Sequence, residues 1–161
     1  MSKTQPGTTA SVPRVGQGKR GVEGHIGYLL RQAHAAHRSR MERALAPHAV
    51  TLPQFSVLLM LAAYPGASGA ELARLSMLTP QTMNVILGNL ERDGAIARRP
   101  HEEHGRIQVN EITPAGRALL TRCKRAVKAV EETLLQGVTP QEEEVVRRWL
   151  VSAAQEYLEG A

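Results

Sequence analysis

Aromatic side chains are scarce, with one Trp, one Phe and three Tyr in 161 residues. The core must therefore be built mostly from Leu, Val, Ile, Ala and Met, which suits packed helices better than a sandwich of strands. Cysteine is represented only by Cys123, so no intrachain disulfide can form. No apolar run approaches the roughly 18 residues that span a bilayer, and the first residues are too polar for a secretory leader. The expectation is a cytoplasmic protein without a membrane-spanning segment. Phosphate-binding glycine loops and convincing nucleophile arrangements are also missing, so no catalytic residues and no cofactor are expected. His101, Glu102, Glu103 and His104 can be drawn as an acid/base cluster. They fall on a predicted exposed turn, with no cleft to exclude water or shift a pKa.

Acidic charge is the minority. Lys and Arg number 20 against 15 Asp and Glu, a net charge of +5 that favours a polyanionic partner. A chain of this length is normally one domain. Residues 1–22 are rich in Gly, Ser, Thr, Pro and basic residues and lack hydrophobic periodicity, so they read as a flexible basic tail carrying Lys3, Arg14, Lys19 and Arg20. Such a tail acts either as a solubilising leader or as an arm that contacts DNA.

From His25 to Leu45, Ile26, Leu29, Leu30 and Ala33 recur at helical spacing, and Ala46-Pro47-His48 ends the run. Leu52 to Ala63 forms a second helix with Phe55, Leu58, Leu59 and Ala62 on one face, entered through Thr51-Leu52-Pro53. A short helix from Gly69 to Ser76 buries Leu72 and Leu75. The pairs Thr79-Pro80, Thr113-Pro114 and Thr139-Pro140 each place a capping hydroxyl before a residue that needs no N–H, and Glu142 completes a capping box with Thr139.

The helix from Pro80 to Asp93 buries Met83, Ile86, Leu87 and Leu90, leaving Gln81, Thr82, Asn84, Val85 and Asn89 for other surfaces. Gly94 is placed to stop it in a left-handed conformation. Ile96–Pro100 and Arg106–Ile112 then read as paired strands, with Ile107 and Val109 alternating against polar neighbours. A helix-turn-helix followed by a basic hairpin, or wing, is suited to duplex DNA. The fold class is thus mostly α with a small β-wing, the DNA-binding lobe occupying residues 49–113.

Residues 23–48 and 114–161 supply the remaining helices. Leu119, Leu120, Cys123, Val127, Val130 and Leu134 form one apolar stripe, and Val145, Val146, Trp149, Leu150, Ala153 and Tyr157 another. A winged helix is complete without them, so the economical covering is the first helix plus the same helices of a second subunit, an isologous homodimer.

The phrases Thr51-Leu52-Pro53-Gln54-Phe55 and Gly69-Ala70-Glu71-Leu72-Ala73, the segment Thr79–Glu91, and Ile112-Thr113-Pro114-Ala115-Gly116-Arg117 together resemble the MarR family of bacterial transcriptional regulators. The resemblance runs from about His25 to Leu158. It implies a dimeric winged-helix protein that binds a pseudo-palindromic operator, usually represses, and is released by a small molecule or an oxidant. Family members usually carry an acidic residue and two consecutive arginines at the wing tip. Here those places hold His104, Gly105 and Arg106, so only the second arginine is matched.

On this reading the helix entered through Thr79 and Pro80 lies in the major groove. Gln81 and Asn84 carry amides that both donate and accept, as the adenine edge requires. Thr82 reaches a phosphate or base, Pro80 or Val85 packs on a thymine methyl, Arg98 and Arg99 hold phosphates, and Arg106 is the minor-groove candidate. For Arg98 and Arg99 the alternative is an ordinary charged strand edge. The resemblance also implies an effector pocket between the dimer helices and the DNA-binding lobe, where Tyr28, Arg31, His34 and Phe55 would receive a small aromatic or acidic ligand. Core packing and interface salt bridges are the competing roles for these four. Such a ligand would alter the spacing of the recognition helices, which must match half-sites about 34 Å apart.

Two further readings stay open. Cys123 could sense oxidants, but on an apolar helical stripe it reads as a buried small hydrophobe. A winged helix can also serve protein contacts alone. A metal site is not expected, because the pairs His34/His37 and His101/His104 lack the further ligands that zinc requires.

Overall fold

The protein is described by a computed structural model that covers residues 12–100 and 108–159. His101, Glu102, Glu103, His104, Gly105, Arg106, Ile107, Lys3 and the side chain of Tyr157 lie outside the described residues. The chain divides into two compact units, residues 1–39 and 40–161. Helix α1 (Ile26–Leu45) contributes residues to both.

In the first unit, Gly18–Arg20 form one turn of 3-10 helix within the stretch expected as a tail. The Arg20 side chain donates to Pro13 O at 3.0 Å and to Gln32 Oε1 at 3.2 Å, and the Gln32 amide donates back to Arg20 O at 3.3 Å. This reciprocal pair holds residues 13–20 to the start of α1.

The second unit begins with the end of α1 and a 3-10 turn at Ala46–His48. Then follow α2 (Leu52–Ala63), α3 (Gly69–Leu75), α4 (Pro80–Arg92), β1 (Ile96–Pro100), β2 (Gln108–Ile112), α5 (Pro114–Leu134) and α6 (Pro140–Glu159). Each helix from α2 to α6 starts at a hydroxyl that accepts a backbone N–H, from Thr51, Ser68, Thr79, Thr113 and Thr139 respectively. Glu142 returns a carboxylate to the Thr139 N–H at 2.8 Å, as its spacing predicts. Gly94 ends α4 at φ +70°, the left-handed conformation expected of it.

The strands pair antiparallel with Ile96 opposite Ile112 and Arg98 opposite Asn110. Val109 also bridges to Ser68, bringing the α2–α3 connection alongside β2. The core of this unit includes Leu45, Val57, Leu58, Leu61, Leu72, Met83, Leu87, Leu90 and Ile96. No single helix among the described residues is long and apolar enough to cross a membrane.

Three expectations about packing are corrected. Leu75 is 44% exposed, because the two-turn α3 ends there and Leu78, two residues into the following turn, packs on the core instead. On β2 the inward side chains are Asn110 and Ile112, not Val109, which is only half-buried. Finally, Leu120, Cys123 and Val127 of the α5 stripe are buried within the single chain, where α5 packs on α2. Elements of the same chain therefore cover much of that stripe themselves. Along α6, by contrast, Val145, Val146, Trp149, Leu150 and Val151 are all exposed.

Candidate nucleic-acid interface

Helix α4 presents two faces of opposite character. Met83, Ile86, Leu87 and Leu90 are buried at helical spacing, which fixes the rotation of the helix on the core. Thr79, Pro80, Gln81, Thr82, Asn84 and Val85 are consequently all exposed at its N-terminal end. The Thr79 hydroxyl accepts the Thr82 N–H at 3.2 Å and lies 2.9 Å from the Thr82 hydroxyl, so these two side chains organise the first turn. No described hydrogen bond engages the side-chain amides of Gln81 and Asn84. The face offers two amides, a methyl-bearing Val85 and a capped helix start, a set able to read base edges and favour a phosphate.

The two described wing arginines behave differently. Arg99 is exposed and its guanidinium lies 3.3 Å from Glu111 Oε2 on the opposite strand. Such a surface pair is weak and can open towards a phosphate. Arg98 points back over α4, its Nε 3.3 Å from Glu91 Oε2 and its Nη2 donating to Asn84 O at 3.5 Å. A Cβ at Gly88 would stand 4.0 Å from that Nη2, so the helix surface is low where the guanidinium crosses. Asn84, Gly88 and Glu91 follow one another along one face, and Arg98 spans them. The wing is thus tied directly to α4. Arg106 lies outside the described residues.

Several supporting residues were not singled out from the sequence. Asn110 is 1% exposed, and its amide donates to Ala67 O at 2.8 Å. This anchors β2 to the α2–α3 connection, beside a cleft of about 380 Å³ between α3, α4 and β2. Gly116 lets α5 start against the segment that joins α4 to β1, where a Cβ would sit 1.9 Å from Ala95 O. Ser68 and Glu71 form a reciprocal capping box on α3, a spacing that is readable in the sequence. No local pattern marks Asn110 or the Glu91–Arg98 pair.

The four residues considered for an effector are placed as follows. In the first unit, Tyr28 is half-buried, donates its hydroxyl to Gln32 Oε1 at 3.3 Å, and has the Arg31 guanidinium 5.7 Å from its ring centroid. Arg31 and His34 are exposed. In the second unit Phe55 belongs to the core, at 3% exposure. Cys123 is fully buried, and burial pushes its thiol pKa up, which disfavours the reactive thiolate. Among the described residues no three His, Cys, Asp or Glu side chains converge as metal ligands.

Comparison with known proteins agrees with this geometry. A family model described as MarR family matches residues 49–107. The HTH-type transcriptional repressor Rv2887 of Mycobacterium tuberculosis is 42% identical over 123 residues, covering 76% of this chain and 88% of that protein. The crystal structure of the Mycobacterium tuberculosis MarR family protein Rv2887 in complex with DNA superposes with a TM-score of 0.67 at 38% identity, covering 81% of this chain and 98% of that one. Its complex with salicylic acid gives a TM-score of 0.64 at 38% identity, with 82% and 98% covered.

Proposed function

The chain belongs to the MarR family, and on that premise we propose that it is a homodimeric transcriptional repressor that binds a pseudo-palindromic operator and is released by a small aromatic or acidic ligand. The observation that carries this reading is the exposed N-terminal face of α4 beside the basic hairpin. Gln81 and Asn84 read base edges in the major groove, Thr79, Pro80, Thr82 and Val85 contact the adjoining bases and phosphates, and Arg99 holds backbone phosphate. Arg98 serves the interface through its grip on α4, and Arg106, outside the described residues, is proposed for the minor groove. DNA complexes are formed by the relative Rv2887, at 38% identity, which supports the assignment.

The exposed apolar row on α6, from Val145 to Val151, supports dimerisation, because a row of this kind is normally covered by another element. Two copies of α4 would then meet half-sites one helical turn apart, about 34 Å. Tyr28, Arg31, His34 and Phe55 are proposed to respond to the effector, in keeping with the salicylic acid complex of the relative. An effector must favour the geometry that does not bind DNA, or it shifts nothing. The protein acts in the cytoplasm and performs no catalysis.

The test is fluorescence anisotropy with DNA from upstream of the protein's own gene, across a salt series and against scrambled duplex. The expected result is binding that weakens steeply with salt and that scrambling lowers by about a thousandfold. Equal affinity for both duplexes refutes specific recognition at that site. Salt-independent association would instead favour an apolar protein interface.

A further inference from the structure

The inward face of the β1–β2 hairpin changes character along its length. At the base, Ile96 and Ile112 stand opposite each other and are both buried, an apolar contact that fixes position but not angle. The next pair on the same face, two residues further out, is Arg98 opposite Asn110. Both are tied by directional bonds, and to different elements. Arg98 reaches Glu91 and Asn84 O on α4. Asn110 turns two donors on one acceptor: its side-chain amide meets Ala67 O at 2.8 Å, and its backbone N–H meets the same oxygen at 3.3 Å. Ala67 immediately precedes Ser68, the cap of α3. The hairpin is therefore held from two sides at one level, by α4 and by the approach to α3.

Stability alone does not account for Asn110. Among the described residues it is the single polar side chain buried with the core, and its Oδ1 has no hydrogen-bond partner there. An unmet buried acceptor is a cost that an aliphatic side chain of similar size avoids. What the amide adds is direction, since a hydrogen bond weakens steeply when bent, whereas apolar contact is non-directional. Further out on the hairpin, the ion pair of Arg99 with Glu111 stays within the two strands. The place of Arg99 relative to α4 is thus whatever the angle of the hairpin makes it.

We propose that Asn110 is a positioning residue for DNA recognition: its side-chain bond to Ala67 O sets the angle of the hairpin against α4, so that Arg99 meets backbone phosphate while Gln81 and Asn84 face the bases. The proposal rests on the recognition reading above and adds a residue that itself touches no DNA. Phosphate contacts fix how a protein sits on the duplex and base contacts read it, so the two sets must be held in one fixed relation. The buried amide supplies that relation at the expense of an unmet oxygen.

The test uses the full-length protein and Asn110→Val, which fills the place of the amide with a strand-forming side chain and leaves the backbone bridge between Val109 and Ser68 intact. Asn110→Ala, which opens the joint without filling it, is the second variant. Without DNA, residual dipolar couplings should show the β1–β2 amides turned relative to those of α2 and α4. Operator affinity, corrected for the active fraction by stoichiometric titration, should fall by about fivefold, as partial loss of one charge-assisted contact predicts. Discrimination at the bases read by Gln81 and Asn84 should be retained. In Arg99→Ala, the Asn110→Val change should weaken binding by less than it does alone, because both act on the same contact. Unchanged couplings, or effects of the two changes that simply multiply, overturn the positioning role while the recognition reading stands. A hairpin that turns in the variants of a protein whose native form binds operator and scrambled duplex alike supports the joint and overturns the recognition reading.

Discussion

Arg98 and Glu91 join β1 to α4 through a 3.3 Å ion pair between the Arg98 Nε and the Glu91 carboxylate. Because the Arg98 side chain is only 23% exposed and also reaches Asn84 O, it is committed to α4. Breaking a half-exposed pair costs at most about 1 kcal/mol, so Arg98→Ala and Glu91→Gln should each weaken operator binding by about fivefold. The salt dependence separates positioning from direct contact. If Arg98 positions the wing, neither change alters the slope of affinity against salt, whereas loss of a phosphate ligand lowers it by about one. Tighter binding by Glu91→Gln would show that freed Arg98 turns to DNA.

Gln81 and Asn84 should govern sequence choice and Arg99 affinity. Gln81→Ala or Asn84→Ala is expected to lower discrimination at its own base position by about 1–3 kcal/mol. Arg99→Ala should weaken all duplexes alike. Competition binding against a set of single-base operator variants checks both.

Gly116→Ala should destabilise the fold by about 3 kcal/mol or more, since its new Cβ would overlap the Ala95 carbonyl, which is backbone and cannot swing aside. Asn110→Ala should cost about 1–3 kcal/mol by leaving the Ala67 carbonyl without its side-chain donor. Urea denaturation measures both. A Gly116→Ala protein with an unchanged midpoint would show that α5 can shift without penalty.

Trp149 and Leu150 on α6 are 43% and 45% exposed in the single chain. Trp149→Glu should therefore convert a dimer into a monomer in sedimentation experiments and abolish high-affinity operator binding, because one half-site alone remains. A dimer that survives this change places the interface elsewhere.

The Glu71 carboxyl is held below its ordinary pKa, first by the Ser68 backbone N–H and then by the Ser68 hydroxyl. Its folded value is lower than its unfolded value, so the α3 cap contributes above the ordinary carboxylate range and loses that contribution as pH falls through the lowered value. Carboxyl titration by NMR should give a low midpoint for Glu71, rising only part of the way to the ordinary value in Ser68→Ala, which removes the hydroxyl but keeps the backbone N–H. An ordinary midpoint in the native protein would contradict the cap.

Much of the helical frame was legible because its signals are short-ranged. Thr79-Pro80 and Thr113-Pro114 announce their helices within four residues, and Thr139 with Glu142 does the same. The buried and exposed faces of α4 follow from a period that one turn reveals. Leu75 was misjudged because apolar character does not say where a two-turn helix ends relative to the core. Asn110 was missed because its partner, Ala67, lies 43 residues away, and polarity alone reads as outward-facing.

The sequence by itself determined where most elements start and stop, the rotation of α4 and the family to which the chain is similar, since capping, periodicity and ordered motifs are properties of neighbouring residues. Only the tertiary structure decided that Asn110 turns inward, that Leu120, Cys123 and Val127 of α5 are buried within the single chain, and that Arg98 grips Glu91. Each of these depends on which distant surfaces meet, and that is set by the packing of the whole core.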